Sequence, residues 1–279
     1  MLNLGGLDNL VSLSRKLGLN RLEFLLSNRS FLTRRTKPER VRSMIRSLRP
    51  QAVNGDLVRL GPPGDGGYLV PDELDGIIAC FSPGVSSVSG FERACADRGM
   101  RVFMADASVD GPAEFHPNFV FDKKFVGAFS SGEFVTLEDW VAASLGDTEG
   151  DLLLQMDIEG FEYETLLGAP SALLGRFRVI VAELHALDQF WNRAFFDLAS
   201  RALDKLLLTH ACVHIHPNNV APLHRHKGVT IPPLAEFTFV RRELVRSDAS
   251  ARVFPHPLDH DNCDNAPVVL PGIWYRDEA

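Results

Sequence analysis

Two hydrophobic rhythms alternate along the chain. Short apolar runs of strand length are followed by stretches in which apolar residues recur every three or four positions. Val41, Met44, Ile45 and Leu48 fall at i, i+3, i+4 and i+7, which predicts a helix over Thr36–Leu48. Thr36 stands where a cap belongs, and Pro38 suits the first turn. An earlier pattern, Leu10–Leu26, also predicts helix, interrupted at Gly18.

Beyond Pro50 the rhythm changes. Leu57–Pro71 is glycine-rich between short apolar runs. Ile77–Phe81 then predicts a buried strand, Ser82–Gly90 a loop of small residues, and Phe91–Arg98 a helix closed by Gly99. Arg101–Ser108 predicts a second strand with Asp106 at its C-terminal end, and Asn118–Gly127 a third. Thr136–Gly146 predicts a helix, with Thr136 and Asp139 in capping-box positions. Leu152–Asp157 is a fourth strand and Glu162–Leu174 a helical region. Arg176–Ala186 is a fifth strand. Phe190–His210 predicts a long helix with Phe195, Leu198, Ala199, Ala202 and Leu206 on one face. Cys212–Asn219 gives a sixth strand and its exit, and Leu234–Leu244 a seventh. Phe254–Ala279 is rich in proline and aspartate and is expected to be irregular.

Strands alternating with helices predict an α/β fold, a doubly wound and mostly parallel sheet covered on both faces. Such sheets bind ligands at the C-terminal ends of their strands. In LLLQMDIEGFEYETLLG (Leu152–Gly168) an apolar run ends in Asp157 and Glu159. A strand interior cannot hold two bare carboxylates, because each costs several kcal/mol to bury unpaired. The acids therefore belong at the strand exit, where the chemistry is expected.

Of the 279 residues, 45% are apolar and 23% charged, the balance of a globular protein. No run approaches the ~18 apolar residues of a membrane span, and the first residues show no basic start before an apolar core. Cys80, Cys95, Cys212 and Cys263 are scattered without a CxxC pair, which predicts reduced thiols and a cytoplasmic location. Net charge is −7 and uneven. Residues 1–50 hold 11 Lys/Arg and three acids, 11 − 3 = +8, so the remainder sums to −7 − 8 = −15. The extension is basic and helical, and the acidic body argues against nucleic acid as the main partner. The extension has two readings, a docking arm or a solvated helical face.

The loop after the first strand, FSPGVSSVSG, and an acid roughly 20 residues on fit a nucleotide-containing cofactor, the acid bonding a ribose diol. The strict GxGxxG spacing of nicotinamide sites is absent. Glu183 and His185 lie two apart on one predicted strand, as do His214 and His216 on another, so each pair shares a face.

The chain resembles the FkbM-type methyltransferases, which use S-adenosylmethionine. The likeness runs through GPPGDGGYLV (Gly61–Val70), FSPGVSSVSGFE (Phe81–Glu92), VFMAD, KFVG (Lys124–Gly127), MDIEGFEYETL (Met156–Leu166), VAELH (Val181–His185), HIHPNN (His214–Asn219) and PLAEFTFVRRE (Pro233–Glu243). It covers roughly residues 55–265. It implies a seven-stranded sheet of class I methyltransferase type with an antiparallel last strand, and methyl transfer to an oxygen, often of a sugar or glycan. The expected division is a basic extension, residues 1–50, and a cofactor-binding domain, residues 51–279.

Carried over to this sequence, the likeness implies that Ser82, Pro83, Gly84 and Val85 face the cofactor. Glu92, Asp106, Ala107 and Met156 line it, with Asp106 on the ribose. Asp65, Gly66, Gly67 and Tyr68 close over it from the N-terminal side. Serines stand in the first loop where many methyltransferases have glycines. Asp157, Glu159 and His185 are the expected catalytic residues. His185 has two readings: a general base near neutral pH, or a ligand with Asp157 and His216 to a divalent Mg, Mn or Zn ion that acidifies the acceptor hydroxyl. Glu159 has a second reading as a cap on the following helix. His216, Asn218 and Asn219 are expected at the substrate, a small molecule or glycan; Asn218 and Asn219 can also simply shape the turn. The tail HPLDHDNCDN (His256–Asn265) fits no standard zinc spacing. Two alternatives stay open: a nicotinamide oxidoreductase on a similar fold, and a non-catalytic interaction protein.

Overall fold

The apolar runs pair into one central sheet. The computed structural model describes residues 33–246 and 254–276, so the pattern at Leu10–Leu26 lies outside it. The elements in order are α1 (Pro38–Ser47), β1 (Leu57–Leu60), β2 (Tyr68–Pro71), β3 (Ile77–Pro83), α2 (Gly90–Ala96), β4 (Arg101–Ala105), β5 (Phe119–Asp122), β6 (Phe125–Gly127) and β7 (Phe134–Thr136). Then come α3 (Leu137–Leu145), β8 (Asp151–Met156), α4 (Glu162–Gly168), α5 (Ser171–Arg176), β9 (Phe177–Leu184), α6 (Arg193–Leu206), β10 (His210–Pro217), β11 (His224–His226), β12 (Val229–Ile231) and β13 (Ala235–Arg241). The seven-stranded sheet runs β10-β13-β9-β8-β3-β4-β5. Four of its pairings are parallel. The other two, made by β13 with β10 and with β9, are antiparallel.

β8 is central, which explains its unbroken apolar run. Leu152 and Leu154 enter the core on one face of the sheet, and Leu153 the core on the other. Each such leucine contributes roughly 1.5–3 kcal/mol of burial. α1 packs into the first of these cores through Val41, Met44, Ile45 and Leu48, the predicted stripe.

Four expectations need correction. Thr36 does not cap α1: Pro38 starts the helix, so Lys37 occupies the cap position without a side-chain bond. Thr36 is buried and its N–H donates to the Trp191 carbonyl at 2.9 Å. The predicted third strand divides, because β5 stops at Asp122 and Phe125–Gly127 pairs with β7 outside the main sheet. The helix expected from Phe190 begins at Arg193, after a 3-10 turn over Leu187–Trp191, and Asn192 Oδ1 caps it by accepting the Ala194 N–H at 3.1 Å. Its buried face is Phe196, Ala199, Ala202, Leu203 and Leu206, whereas Leu198 is 44% exposed. Finally, Pro170 cannot supply a backbone donor, and the region after β8 breaks into α4 and α5 there.

Candidate functional site

Three strand exits are stitched together. Gly84 follows β3 with φ of +92°, and a Cβ there would lie 1.6 Å from the Asp157 carbonyl oxygen. Only glycine fits that contact. The Asp157 N–H donates to Pro83 O at 3.3 Å, and the Gly84 N–H to Ala105 O at 3.0 Å. The close backbone approach expected of Gly84 is thus to the neighbouring strand exit. Beside this junction lies a cavity of about 280 Å³ at the C-terminal ends of β3, β4 and β8. Phe125, Val126, Phe134, Ile158 and Phe161 form apolar walls, while Asp106, Ser108, Asp157 and Glu159 supply polar groups. The Phe134 ring centroid is 5.5 Å from that of Phe125 and 5.8 Å from that of Phe161. Asp106 follows β4 directly and is buried; its Oδ1 accepts the Ser108 N–H at 2.7 Å and the Ser108 hydroxyl at 2.6 Å.

Asp157 and Glu159, both in the cavity lining, meet His185. His185 Nε2 is 3.8 Å from Asp157 Oδ1 and 3.5 Å from Glu159 Oε2. One ligand atom from each of the three residues falls within 4.8 Å of the others. Glu159 and Ala186, the residue after His185, both have left-handed backbone, φ of 55° and 56°. For non-glycine residues that conformation costs about 1–2 kcal/mol each, and such strain gathers at functional sites.

Sequence reasoning missed Glu162. It is fully buried, and Oε1 accepts the Ile158 and Gly160 N–H groups at 3.2 and 3.1 Å while lying 3.0 Å from His185 Nδ1. The helix that follows has no side-chain cap, since Phe161 holds the cap position; Glu162 ties the preceding turn instead, and Glu159 is left exposed over the cavity. The available signal was a third acid in the same motif, three residues beyond Glu159. Tyr163 completes the frame, its hydroxyl donating to the His185 carbonyl at 2.8 Å. Burial pushes the His185 pKa down, but the hydrogen bond and charge of Glu162, with Glu183 and Asp157 behind them, raise it to about 9. Desolvation raises Asp157 to about 6 against the opposing pull of Glu183 and His185. Glu162 therefore favours the charged form of the free imidazole, which weighs against His185 as a base near neutral pH.

A row of ionisable groups continues across the sheet. Glu183 pairs with Glu236, and Glu236 pairs with His216. Glu183 is hydrogen-bonded to Asp157 and accepts from Asn218 Nδ2 at 2.7 Å. Burial, then the charges of Asp157 and Glu236, raise it to about 9. Desolvation raises Glu236 to about 7, offset in part by His216 and the Asn262 amide. His216 does not join Asp157 and His185 as a metal ligand, because β13 lies between β9 and β10. It faces Asp259 instead, with Nδ1 3.7 Å from Oδ2. Glu159 takes the place expected for it in the cluster.

The other expected site residues are dispersed. Of the cofactor set, Gly84 and Asp106 line the cavity. Met156 is fully buried in the core. Ser82 is buried between Glu92 Oε1 at 2.5 Å and Gln155 Oε1 at 2.6 Å. One hydroxyl has a single proton for these two short contacts, and burial raises the pKa of Glu92. Gln155 in turn donates to the Tyr68 hydroxyl at 3.3 Å. Asp65, Gly66, Gly67, Pro83, Val85 and Ala107 are likewise not among the cavity's lining residues. Asn219 is corrected to a structural role. Its oxygen accepts the Asn262 and Cys263 N–H groups, and its amide donates to the Cys263 and Asn265 carbonyls.

Residues 131–215 match the model of the FkbM methyltransferase domain, a span containing the Asp157, Glu159, Glu162 and His185 cluster. No curated protein matches the chain significantly. Among solved structures, a Thermoplasma acidophilum protein provisionally assigned as a methyltransferase is similar at 10% identity and a TM-score of 0.32, over 64% of this chain and 72% of its own. EvdMO1 is similar at 16% identity and a TM-score of 0.27, over 74% of this chain and 48% of its own. Likenesses at these scores carry no weight for fold or function.

Proposed function

We propose that this chain is an S-adenosylmethionine-dependent O-methyltransferase acting on a hydroxyl of a sugar, glycan or glycosylated metabolite, assisted by a divalent ion. One observation supports this above others: a single cavity is lined by aromatic walls, by Asp106, and by Asp157 and Glu159, the two acids whose ligand atoms converge with His185. The FkbM domain match over residues 131–215, which include Asp157, Glu159 and His185, supports it too.

The residues fit such a cofactor. The Phe125, Phe134 and Phe161 walls suit a flat base, and Asp106 keeps Oδ2 for a ribose hydroxyl while Ser108 occupies Oδ1. When bound, the donor supplies an electrophilic methyl group. Asp157, Glu159 and His185 also fit a divalent ion. His185 would bind through Nε2 while its Nδ1–H faces Glu162 Oε1 at 3.0 Å and the Glu183 carbonyl at 3.2 Å, the kind of arrangement that fixes the tautomer of metal-binding histidines. The ion would lower the pKa of a coordinated hydroxyl.

The chain's own groups do the remainder. Asp157, raised to about 6, is largely ionised at neutral pH and a stronger base than an ordinary aspartate. It takes the acceptor hydroxyl proton as the oxygen attacks. Glu183 stays protonated at neutral pH and donates to Asp157, holding its orientation.

Calorimetry with S-adenosylhomocysteine tests the cofactor, with micromolar affinity expected. Tight nicotinamide-dinucleotide binding with no response to S-adenosylhomocysteine would overturn the reading. Methyl transfer that survives exhaustive chelation unchanged would remove the ion.

A further inference from the structure

A second cavity, of about 200 Å³, lies at the sheet edge between the end of β10 and the tail segment after Phe254. Its polar lining is His216, Asp259, His260 and Asp261, with two carboxylates facing any anion, and its apolar walls include Phe254, Pro267, Val269 and Leu270. Asp259 is fixed in place. His214 Nε2 meets Oδ1 at 2.8 Å, and the His256 N–H donates to Oδ2 at 2.7 Å. His216 is different. It is 6% exposed, and both ring nitrogens lack a hydrogen-bond partner.

A buried donor or acceptor left unsatisfied costs roughly 1–3 kcal/mol. Two on one ring, beside a cavity with room for on the order of seven waters, mark a place built for a polar guest. The lining narrows its class. A purely apolar guest would leave the imidazole unsatisfied. An anion would face the Asp259 carboxylate, whose pKa is held far below the usual range by its histidines once burial is overcome. A compact cation would face His216, which Asp259 and Glu236 favour in its charged form against the effect of burial. The ligand atoms here do not converge as a metal needs; among the described residues only Asp157, Glu159 and His185 do so. What remains is a neutral molecule with hydroxyls on its edge and a C–H face for the apolar wall.

We infer that this cavity is a second binding site, for a single sugar ring whose hydroxyls bond His216 and Asp259. β10 lies two strand spacings from β9 and three from β8, about 10 and 14 Å, and β13 stands between this cavity and the transfer cluster. If the function proposed above holds, this is where a remote sugar of a multi-sugar acceptor sits; the binding itself does not depend on that function.

The test is the full-length protein labelled at histidine, titrated by NMR with the methyl glycosides of glucose, galactose, mannose and N-acetylglucosamine at up to tens of millimolar. At least one glycoside should shift the His216 ring signals. Val269 is 59% exposed at the cavity, so Val269→Trp should plug it without disturbing the core and abolish the shift. His216→Phe should weaken binding about tenfold, the loss of one good hydrogen bond. No shift with any glycoside, an unchanged shift in Val269→Trp, or a response to inorganic phosphate or zinc alone would overturn the inference. S-adenosylhomocysteine calorimetry on the same samples reads the proposed function separately. Donor binding without glycoside binding sinks only the second site, and the converse sinks only the methyltransferase.

Discussion

Glu162 and His185 form the hinge of the site's electrostatics: a fully buried carboxylate oxygen lies 3.0 Å from His185 Nδ1 and also collects the N–H groups of Ile158 and Gly160. Its second oxygen has no partner. The exit of β8, the start of α4 and the ring of His185 thus converge on one atom. Glu162→Gln keeps the shape and removes the charge. His185, raised to about 9 in the native protein, should fall by about one to two units. Titration of its ring protons by NMR checks this; a value still near 9 would show that Glu162 is not the cause.

Stability of the metal-free protein should fall as pH rises from about 6.5 to about 9. The His185 pKa is raised from 6.5 to about 9 in the fold, so its contribution is complete below 6.5 and lost as pH climbs through 9. Glu183 acts in the same direction. Its folded pKa of about 9 exceeds the ordinary 4.5, so the native state keeps a proton the unfolded chain has released, and raising the pH removes that advantage. Together they predict a loss on the order of a few kcal/mol over the window. Glu183→Gln mimics the protonated carboxyl and should flatten the slope, measured as urea midpoints at pH 6.5 and 9. An unaltered slope would leave Glu183 out of the linkage.

Asp106 and Asp157 should separate donor binding from chemistry. Asp106→Ala should weaken S-adenosylhomocysteine binding about tenfold to a hundredfold, the worth of a charge-assisted hydrogen bond. Asp157→Asn should lower methyl transfer by about 10²- to 10⁴-fold, the usual reach of a positioned base, with the analogue still bound. Calorimetry and single-turnover transfer read the two effects. Equal losses of binding in both variants would refute the division of labour.

Gly84→Ala should be among the most damaging small substitutions in the chain. The added carbon would lie 1.6 Å from the Asp157 carbonyl oxygen, at a φ of +92° that L side chains avoid. A loss of roughly 3 kcal/mol or more is expected, read as a lowered urea midpoint. Gly99→Ala is the control: it also sits at positive φ, +87°, but its Cβ would meet nothing within 4 Å. It should cost only about 1 kcal/mol.

The sheet was largely legible in the sequence, because a strand buried on both faces must be apolar throughout and Leu152–Leu154 are. The position of Asp157 followed from the same logic, since a carboxylate can leave such a strand only at its end. The burial of Glu162 was not legible. Its partners are two backbone N–H groups of a turn and a histidine 23 residues downstream, a meeting that only the fold creates. The placement of His216 failed for a topological reason: spacing within β10 cannot say that β13, later in the chain, lies between it and β9. On α6 the expected Ala199, Ala202 and Leu206 do face inward, while Phe196 and Leu203 take the places expected of Phe195 and Leu198.

The late insertion of β13 has a consequence for biosynthesis. β9 and β10 emerge from the ribosome before Ala235–Arg241, yet they must stand two spacings apart, roughly 10 Å, with a vacancy between them. Until residue 241 has been translated, the Val179–Ala182 edge of β9 and the facing edge of β10 are unpaired templates for another chain. A nascent polypeptide stalled in that interval is at its most aggregation-prone, and slowing translation before Ala235 should lower the soluble yield.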